Sequence, residues 1–352
     1  MSDSKQTSSE DKQPSAFRAK VLNLLTNQSV ILLITLVLLS GFFQWGSEGV
    51  FLDLGLVGTV LTDWGSMILL AVGQTFVIIT GGIDLSVGTT VSLGSVVAGW
   101  FMLNVFQVGP EVTGTDANPY MAIVVLLSTT TGLIVGAVNA WLINVLKIVP
   151  FIATLSTMGA GAGIAVIITA GQPLSGPNNF DLGSPWMIGE SVLPFSWTVI
   201  ATMVIAVLAG LVLHKTKFGL HTFALGSNAF ATRAAGINVE RQITLVYMLS
   251  GGLAGLAGAY AYIRLGAGSQ TNGMGMELYA IAAAVIGGVS LMGGVGRMWA
   301  VALGTLVLFV VQSGLLTMSV FEVSPDLKQV IVAVLIAAAV AVQTLQNKNG
   351  RK

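Results

Sequence analysis

Few residues in this chain have the chemistry to act, and the most conspicuous is Asp84, in the stretch GGIDLSVG (residues 81–88), with apolar runs on both sides and no cation near it in sequence. An ionisable group at membrane depth is costly and often functional, and glycines such as Gly81 and Gly82 let a helix break so that backbone groups, with Asp84 and Ser86, face a polar cavity. A second reading stands beside it with equal weight: Asp84 is an N-cap at the cytoplasmic edge, ahead of a span that begins at Leu85 or Ser86. Further polar side chains lie inside apolar stretches, among them Gln74, Asn139, Asn144 and Gln312. They either line a path for a hydrophilic solute or join neighbouring helices by hydrogen bonds. Their hydroxyl and amide character suits a neutral polar solute better than an ion, and no ring of acids or staircase of arginines marks an ion filter or voltage sensor.

The second cluster is the block of residues 214–241, HKTKFGLHTFALGSNAFATRAAGINVER, which holds both histidines with Lys215, Lys217, Arg233 and Arg241. A flexible linker would be richer in Ser, Pro and charge. Here Asn228 is placed to cap a short helix whose first turn begins at Ala229 and Phe230, and Gly236 is placed to end it, with Arg233 in the last turn where a cation suits the helix dipole. Its apolar residues Phe223, Leu225 and Phe230 need a surface to pack on, either a partner protein or lipid headgroups.

Catalytic motifs are absent from the sequence: there is no phosphate-binding Walker loop, no HExxH and no GxSxG. With zero cysteines there are no disulfides or thiolate metal sites, and no cofactor is expected. A net charge of zero gives no sign of nucleic-acid binding. Any energy source must come from outside the chain.

The elements that position these residues are membrane helices. A composition that is 54% hydrophobic and only 9% charged does not describe a solvated surface. Apolar runs at residues 29–43, 120–146 and 195–213 approach or exceed the roughly 20 residues needed to cross the hydrocarbon core. The alternation of a membrane β-barrel is missing. The pattern predicts an all-α polytopic membrane protein of about ten transmembrane helices, near residues 29–45, 64–80, 86–106, 120–146, 151–170, 195–213, 242–264, 277–291, 298–318 and 327–345. Residues 1–28 read as a disordered cytoplasmic tail, 29–345 as the transmembrane domain, and 346–352 as a C-terminal tail. The 43 glycines fit close helix packing, with small-xxx-small spacings at Gly132 and Gly136 and at Gly251 and Gly255.

Ten spans put both termini on one side, and the basic residues choose which. Every Lys and Arg except Arg264 and Lys328 then falls on the same face, which the positive-inside rule makes cytoplasmic. The block at 214–241 becomes the largest internal cytoplasmic loop. GGVSLMGG (residues 287–294) shares with GGIDLSVG the pattern Gly-Gly, β-branched, any residue, Leu, two residues, Gly, which is either the trace of a duplication or chance in a glycine-rich chain.

Three ordered motifs, GGIDLSVG, FALGSNAFATRAAGIN (223–238) and MELYAIAAAVIGGVSLMGGVGR (276–297), together with the ten-span layout, resemble the ribose-type sugar permeases of bacterial ABC importers. The resemblance covers nearly the whole chain, from about residue 30 to 345. It implies a permease that moves a monosaccharide or related small polar solute across the bacterial inner membrane by alternating access. It also implies a second permease copy, an ABC ATPase subunit and a periplasmic solute-binding protein as partners, in a setting of membrane lipid. Under it the 214–241 loop is a coupling helix that places Gly226, Asn228, Arg233 and Gly236 at the ATPase contact, with Ala229, Phe230 and Arg241 of the same loop as further coupling candidates; the candidates for the solute path, from their own chemistry and place in the spans, are Gln74, Gly81, Gly82, Asp84, Ser86, Asn139, Asn144 and Glu277. The periplasmic loops at 107–119 and 172–194 would receive the binding protein. The chain departs from the family pattern at two places: an acidic pair after the loop asparagine is here Ala229 and Phe230, and an Asp after Glu277 and Leu278 is here Tyr279. The residues also admit an ion-gradient-driven secondary transporter, with Asp84 or Glu277 binding the coupling ion, and a permease of the same superfamily for a nucleoside or amino acid.

Overall fold

The computed structural model describes residues 28–178, 187–188, 191–192 and 197–318, with isolated positions at 330, 333, 334 and 337. The expected N-terminal tail, the tenth span near 327–345 and the C-terminal tail lie largely or wholly outside the described residues.

Eleven helices are described: α1 (Gln28–Gly46), α2 (Leu54–Ile79), α3 (Val87–Asn104), α4 (Asn118–Asn144), α5 (Pro150–Thr169), α6 (Trp197–Lys215), α7 (Lys217–Ser227), α8 (Ala229–Ala234), α9 (Val239–Leu265), α10 (Met276–Ile286) and α11 (Met298–Thr317). Eight of them, α1 to α6, α9 and α11, are long and apolar enough to cross a membrane. Exposed apolar side chains such as Val37, Leu126, Ile134, Ile167 and Val207 cover the outside of the bundle. That surface suits lipid, and the backbone polar groups of each span are satisfied within its own helix.

At the centre lies α9, whose run from Ser250 to Gly255 is buried throughout. It packs on α4 with backbones nearly touching, because the small residues face each other. A β-carbon added at Gly132 would stand 2.0 Å from the Gly251 carbonyl oxygen, and one at Gly255 would stand 2.3 Å from that of Ser128. The small-xxx-small spacing thus marks the α4–α9 seam, as packing without a hydrophobic force between helices requires.

Two spans differ from the sequence expectation. Helix α2 starts at Leu54, ten residues or nearly three turns before the expected start at residue 64, with Asp53 accepting from the Gly55 N–H at 2.9 Å as its cap. The added length carries Asp63 into the helix, where Arg264 of α9 pairs with it at 2.7 Å. The span expected at 277–291 is replaced by α10, only 11 residues long. At 1.5 Å per residue that is about 16 Å, half of a hydrocarbon core. An irregular stretch, 266–275, supplies the other half: it pairs Ala267–Gly268 with Leu174–Ser175, then follows α3, with Gly273 N–H donating to Ser92 Oγ at 2.9 Å. Non-helical backbone at this depth is tolerated where it is buried in protein, as it is at Gly266, Gly268, Ser269 and Gly273, while Thr271 and Met274 are exposed.

The ends of the helices sort consistently. Gln28 at the start of α1 donates to the Ile286 carbonyl at the end of α10, and Asn144 at the end of α4 donates to the Glu240 carbonyl at the start of α9. Helices α7 and α8 lie at this same end. At the opposite end, the loop after α3 and the one after α5 pack together, with Asn178 donating to the carbonyls of Val112 and Pro110.

Candidate functional site

The block at 214–241 folds into α7 and α8, held against the bundle by specific contacts. Thr216 caps α7, and Gln242 of α9 donates to the Phe218 carbonyl at 3.0 Å and to Thr222 Oγ1 at 2.8 Å. Gly226 sits where no side chain fits: an added β-carbon would lie 1.7 Å from the Ile79 carbonyl oxygen and 2.6 Å from the Gly294 nitrogen. The Gly294 N–H donates to that same Ile79 carbonyl at 2.9 Å. The three sequence motifs, 81–88, 223–238 and 276–297, therefore meet at one point, where α2 and α10 end against α7.

The expected cap and stop of α8 are both present. The Asn228 side chain accepts from the Ala231 N–H at 2.9 Å. Gly236, at φ +81°, donates to the Arg233 carbonyl while Ile237 N–H reaches back to Thr232, a helix stop that needs a left-handed residue. Arg233 pairs with Glu240 of α9 at 2.5 Å, and Asn144 holds the backbone of that same Glu240. The three apolar residues of the block part ways: Leu225 is buried, Phe223 is half-buried against His214, and Phe230 is 82% exposed. Ala229 and Arg241 are also exposed. Of the three apolar residues only Phe230 is left in want of a surface, and Leu220 of α7, 66% exposed, is a further apolar residue of the block without one.

Gln74, Asp84, Ser86 and Asn139 are brought together, but in a closed network. Asp84 is fully buried and accepts from Ser86 N–H at 2.9 Å, Ser86 Oγ at 2.6 Å and Ser250 Oγ at 3.1 Å. Asn139 donates to Ser86 Oγ at 2.8 Å and accepts from Thr157 at 2.5 Å. Gln74, with its amide nitrogen turned toward the Asp84 carbonyl, pairs with both backbone groups of Asp84. The network joins α2, α3, α4, α5 and α9. Asp84 is buried among spans and satisfies the N–H of Ser86, while the cap position of α3 is Ser86 itself. Gly81 (φ +83°) and Gly288 (φ +85°) end α2 and α10 by the same left-handed turn. They are the first glycine of one motif and the second of the other, so the turn geometry aligns the two motifs one residue out of the sequence match. Gly82 lies close against the Tyr247 hydroxyl, and Asn144 belongs to the α4–α9 junction. Glu277, in the first turn of α10, is half-buried with its carboxylate beside Gly88 at the start of α3.

A cavity of about 280 Å³ with a mostly apolar wall, including Val91, Ala257, Met276 and Leu316, opens elsewhere, toward the end opposite α7 and α8. Asp63, Ser66, Arg264, Asn272, Phe309 and Gln312 are in its wall. Of these only Gln312 stood out in the sequence. The Asp63–Arg264 pair gave no local signal, because it forms between helices far apart in the chain.

The comparisons agree with one another. A family described as branched-chain amino acid transport system / permease component matches residues 56–340. The D-allose transport system permease protein of Escherichia coli is 32% identical over 313 residues, covering 89% of this chain and 90% of that protein. The ribose import permease protein of Bacillus subtilis is 39% identical over 251 residues, 70% of this chain and 72% of its own. The galactose/methyl galactoside import permease protein of Haemophilus influenzae is 31% identical over 329 residues, 92% and 95%. No solved structure matches the chain. A family match over most of the chain, and relatives at this identity along 72–95% of their length, place it plainly: the chain belongs to the permease family of ABC importers, among the ribose-type sugar permeases.

Proposed function

We propose that this chain carries a monosaccharide, or a closely related neutral polyol, across the bacterial inner membrane, with ATP hydrolysed by a separate subunit that docks on α7 and α8. The observation that carries the docking surface is Phe230: a large apolar side chain, 82% exposed, on a helix fixed at both ends by its cap and its stop. An exposed aromatic on a rigid element is the kind of anchor that protein interfaces use. Arg233 on the same helix and Arg241 in the first turn of α9, both exposed, supply charge, while Gly226 lets α7 lie flush on the ends of α2 and α10. A push on α8 passes to α9 through Arg233 and Glu240, and to α4 through Asn144.

The α7–α8 end is cytoplasmic in this reading. Lys147 stands near Glu240, and Lys215 and Arg297 stand near His214, so the basic loops gather at that end as the positive-inside rule demands. The packed loops at Val112 and Asn178 then face the periplasm and offer a surface to a solute-binding protein. The buried network around Asp84, with Gln74, Ser86 and Asn139, serves as the fixed joint about which the spans rearrange. A second permease copy completes the path, and lipid covers the apolar exterior. The direct test is to co-express the chain with an ABC ATPase and a binding protein encoded beside it, purify the assembly, and measure ATP-dependent uptake of ribose, allose and galactose into proteoliposomes. Uptake that persists without the ATPase, or an ATPase that never co-purifies, would sink the reading.

A further inference from the structure

We propose that the cavity walled by Asp63, Ser66, Arg264, Asn272, Phe309 and Gln312 is a solute-selecting site within the permease itself, shaped for a neutral polyhydroxylated ring. The proposal rests on the importer reading above and deepens it.

Position comes first. Arg264 lies 25 residues beyond the first residue of α9, which starts beside α8, so at 1.5 Å per residue its part of the cavity wall stands about 38 Å along α9 from the coupling helices, and Ala257, deeper in the wall, about 27 Å. It therefore opens on the side from which an imported solute arrives. A volume of about 280 Å³ lies at the small end of ligand pockets, which run from roughly 300 to 1,000 Å³, and suits a single sugar ring rather than a larger cargo.

Chemistry narrows the solute. Asp63 and Arg264 pair at 2.7 Å with side chains 40% and 38% exposed, so their charges cancel while most of their hydrogen-bonding capacity stays open. A carboxylate has about four acceptor sites and a guanidinium five N–H donors, a supply that one contact does not use up. A lone cation meets Arg264 and a lone anion meets Asp63, so neither is favoured. A diol, by contrast, donates to one partner and accepts from the other without disturbing it.

The amides add to this. The Asn272 nitrogen is fixed by Ser95 Oγ and the Ala267 carbonyl, both at 3.1 Å, which leaves its oxygen as an acceptor. Gln312 has no side-chain hydrogen-bond partner among the described residues. It can both donate and accept toward the cavity, and Phe309 supplies an apolar wall for the C–H face of a ring.

The test uses the reconstituted importer with its ATPase and binding protein, and D-ribose, D-allose, D-galactose and L-leucine as labelled probes. Gln312→Ala gives up no side-chain hydrogen bond among the described residues, so a melting temperature near wild type is expected and is measured beside uptake. It is expected to slow uptake of at least one sugar by about fivefold, the size of one lost hydrogen bond, and to change the ratio of rates among the three sugars. Asp63→Asn, which unbalances the pair, is expected to change that ratio further. A wild-type importer that moves a sugar, joined with variants that slow all three sugars equally or not at all, overturns the selecting site and leaves the importer reading intact. Wild-type uptake of leucine and of no sugar overturns both.

Discussion

Arg233, in the last turn of α8, reaches Glu240 in the first turn of α9 at 2.5 Å, and the backbone carbonyl of the same Glu240 accepts from Asn144 of α4. One exposed ion pair thus stands between the docking helix and the two most tightly packed spans. Exposed pairs of this kind contribute only about 0–1 kcal/mol to stability, so its removal should leave the fold intact. Arg233→Glu is expected to cut ATP-driven uptake several-fold with unchanged detergent stability, and Arg233→Glu with Glu240→Arg is expected to recover part of it. No recovery in the double variant would place the role of Arg233 at the partner contact instead of at Glu240.

Phe230→Asp tests the docking surface alone. The side chain touches solvent over most of its area, and exposed substitutions usually change stability by about 0.5 kcal/mol or less. Co-purification of the ATPase is expected to fall by tenfold or more while the permease keeps its melting temperature. Equal recovery of the ATPase with wild type and variant would remove Phe230 from the interface.

Asp84→Ala leaves the Ser86 N–H and the Ser250 hydroxyl without their acceptor in a fully buried site. Each buried donor stranded in this way costs about 1–3 kcal/mol. The variant is expected to melt several degrees lower and to fold in smaller yield, with Asp84→Asn milder because it keeps one acceptor oxygen. A melting temperature equal to wild type in Asp84→Ala, combined with lost uptake, would instead return Asp84 to the solute path.

How much of this was legible in the sequence depended on the range of the physics. The α8 helix was readable because Asn228 and Gly236 act on backbone groups within three or four residues of themselves. The long spans were readable from hydropathy, and the α4–α9 seam from glycine spacing. By contrast, the early start of α2 was hidden because Asp63 looks like a loop residue until Arg264 arrives from another helix. The shortness of α10 was hidden because Gly287 and Gly288 sit in an apolar run that hydropathy alone reads as continuous. The placement of Gln74 and Asn139 in the Asp84 network, and of Gln312 in the cavity, could not be separated in sequence, since all three are amides within apolar spans and only their neighbours differ.

The seam itself permits a test in which propensity and packing oppose each other. Gly to Ala inside a helix favours the helix by about 1 kcal/mol when nothing obstructs the new methyl group. At Gly159 on α5 nothing lies within 4 Å of the added carbon, so Gly159→Ala is expected to be neutral or slightly stabilising. At Gly132 the same carbon would lie 2.0 Å from the Gly251 carbonyl oxygen and 2.8 Å from the Gly255 nitrogen. These are backbone atoms and cannot rotate away, so α4 must move off α9 and give up contacts along the seam. Gly132→Ala is therefore expected to lower the melting temperature in detergent despite its better helix propensity, and Gly132→Val to abolish folded protein, as read by size-exclusion profiles of membrane extracts. If Gly132→Ala and Gly159→Ala melt alike, the backbones of α4 and α9 do not meet as described.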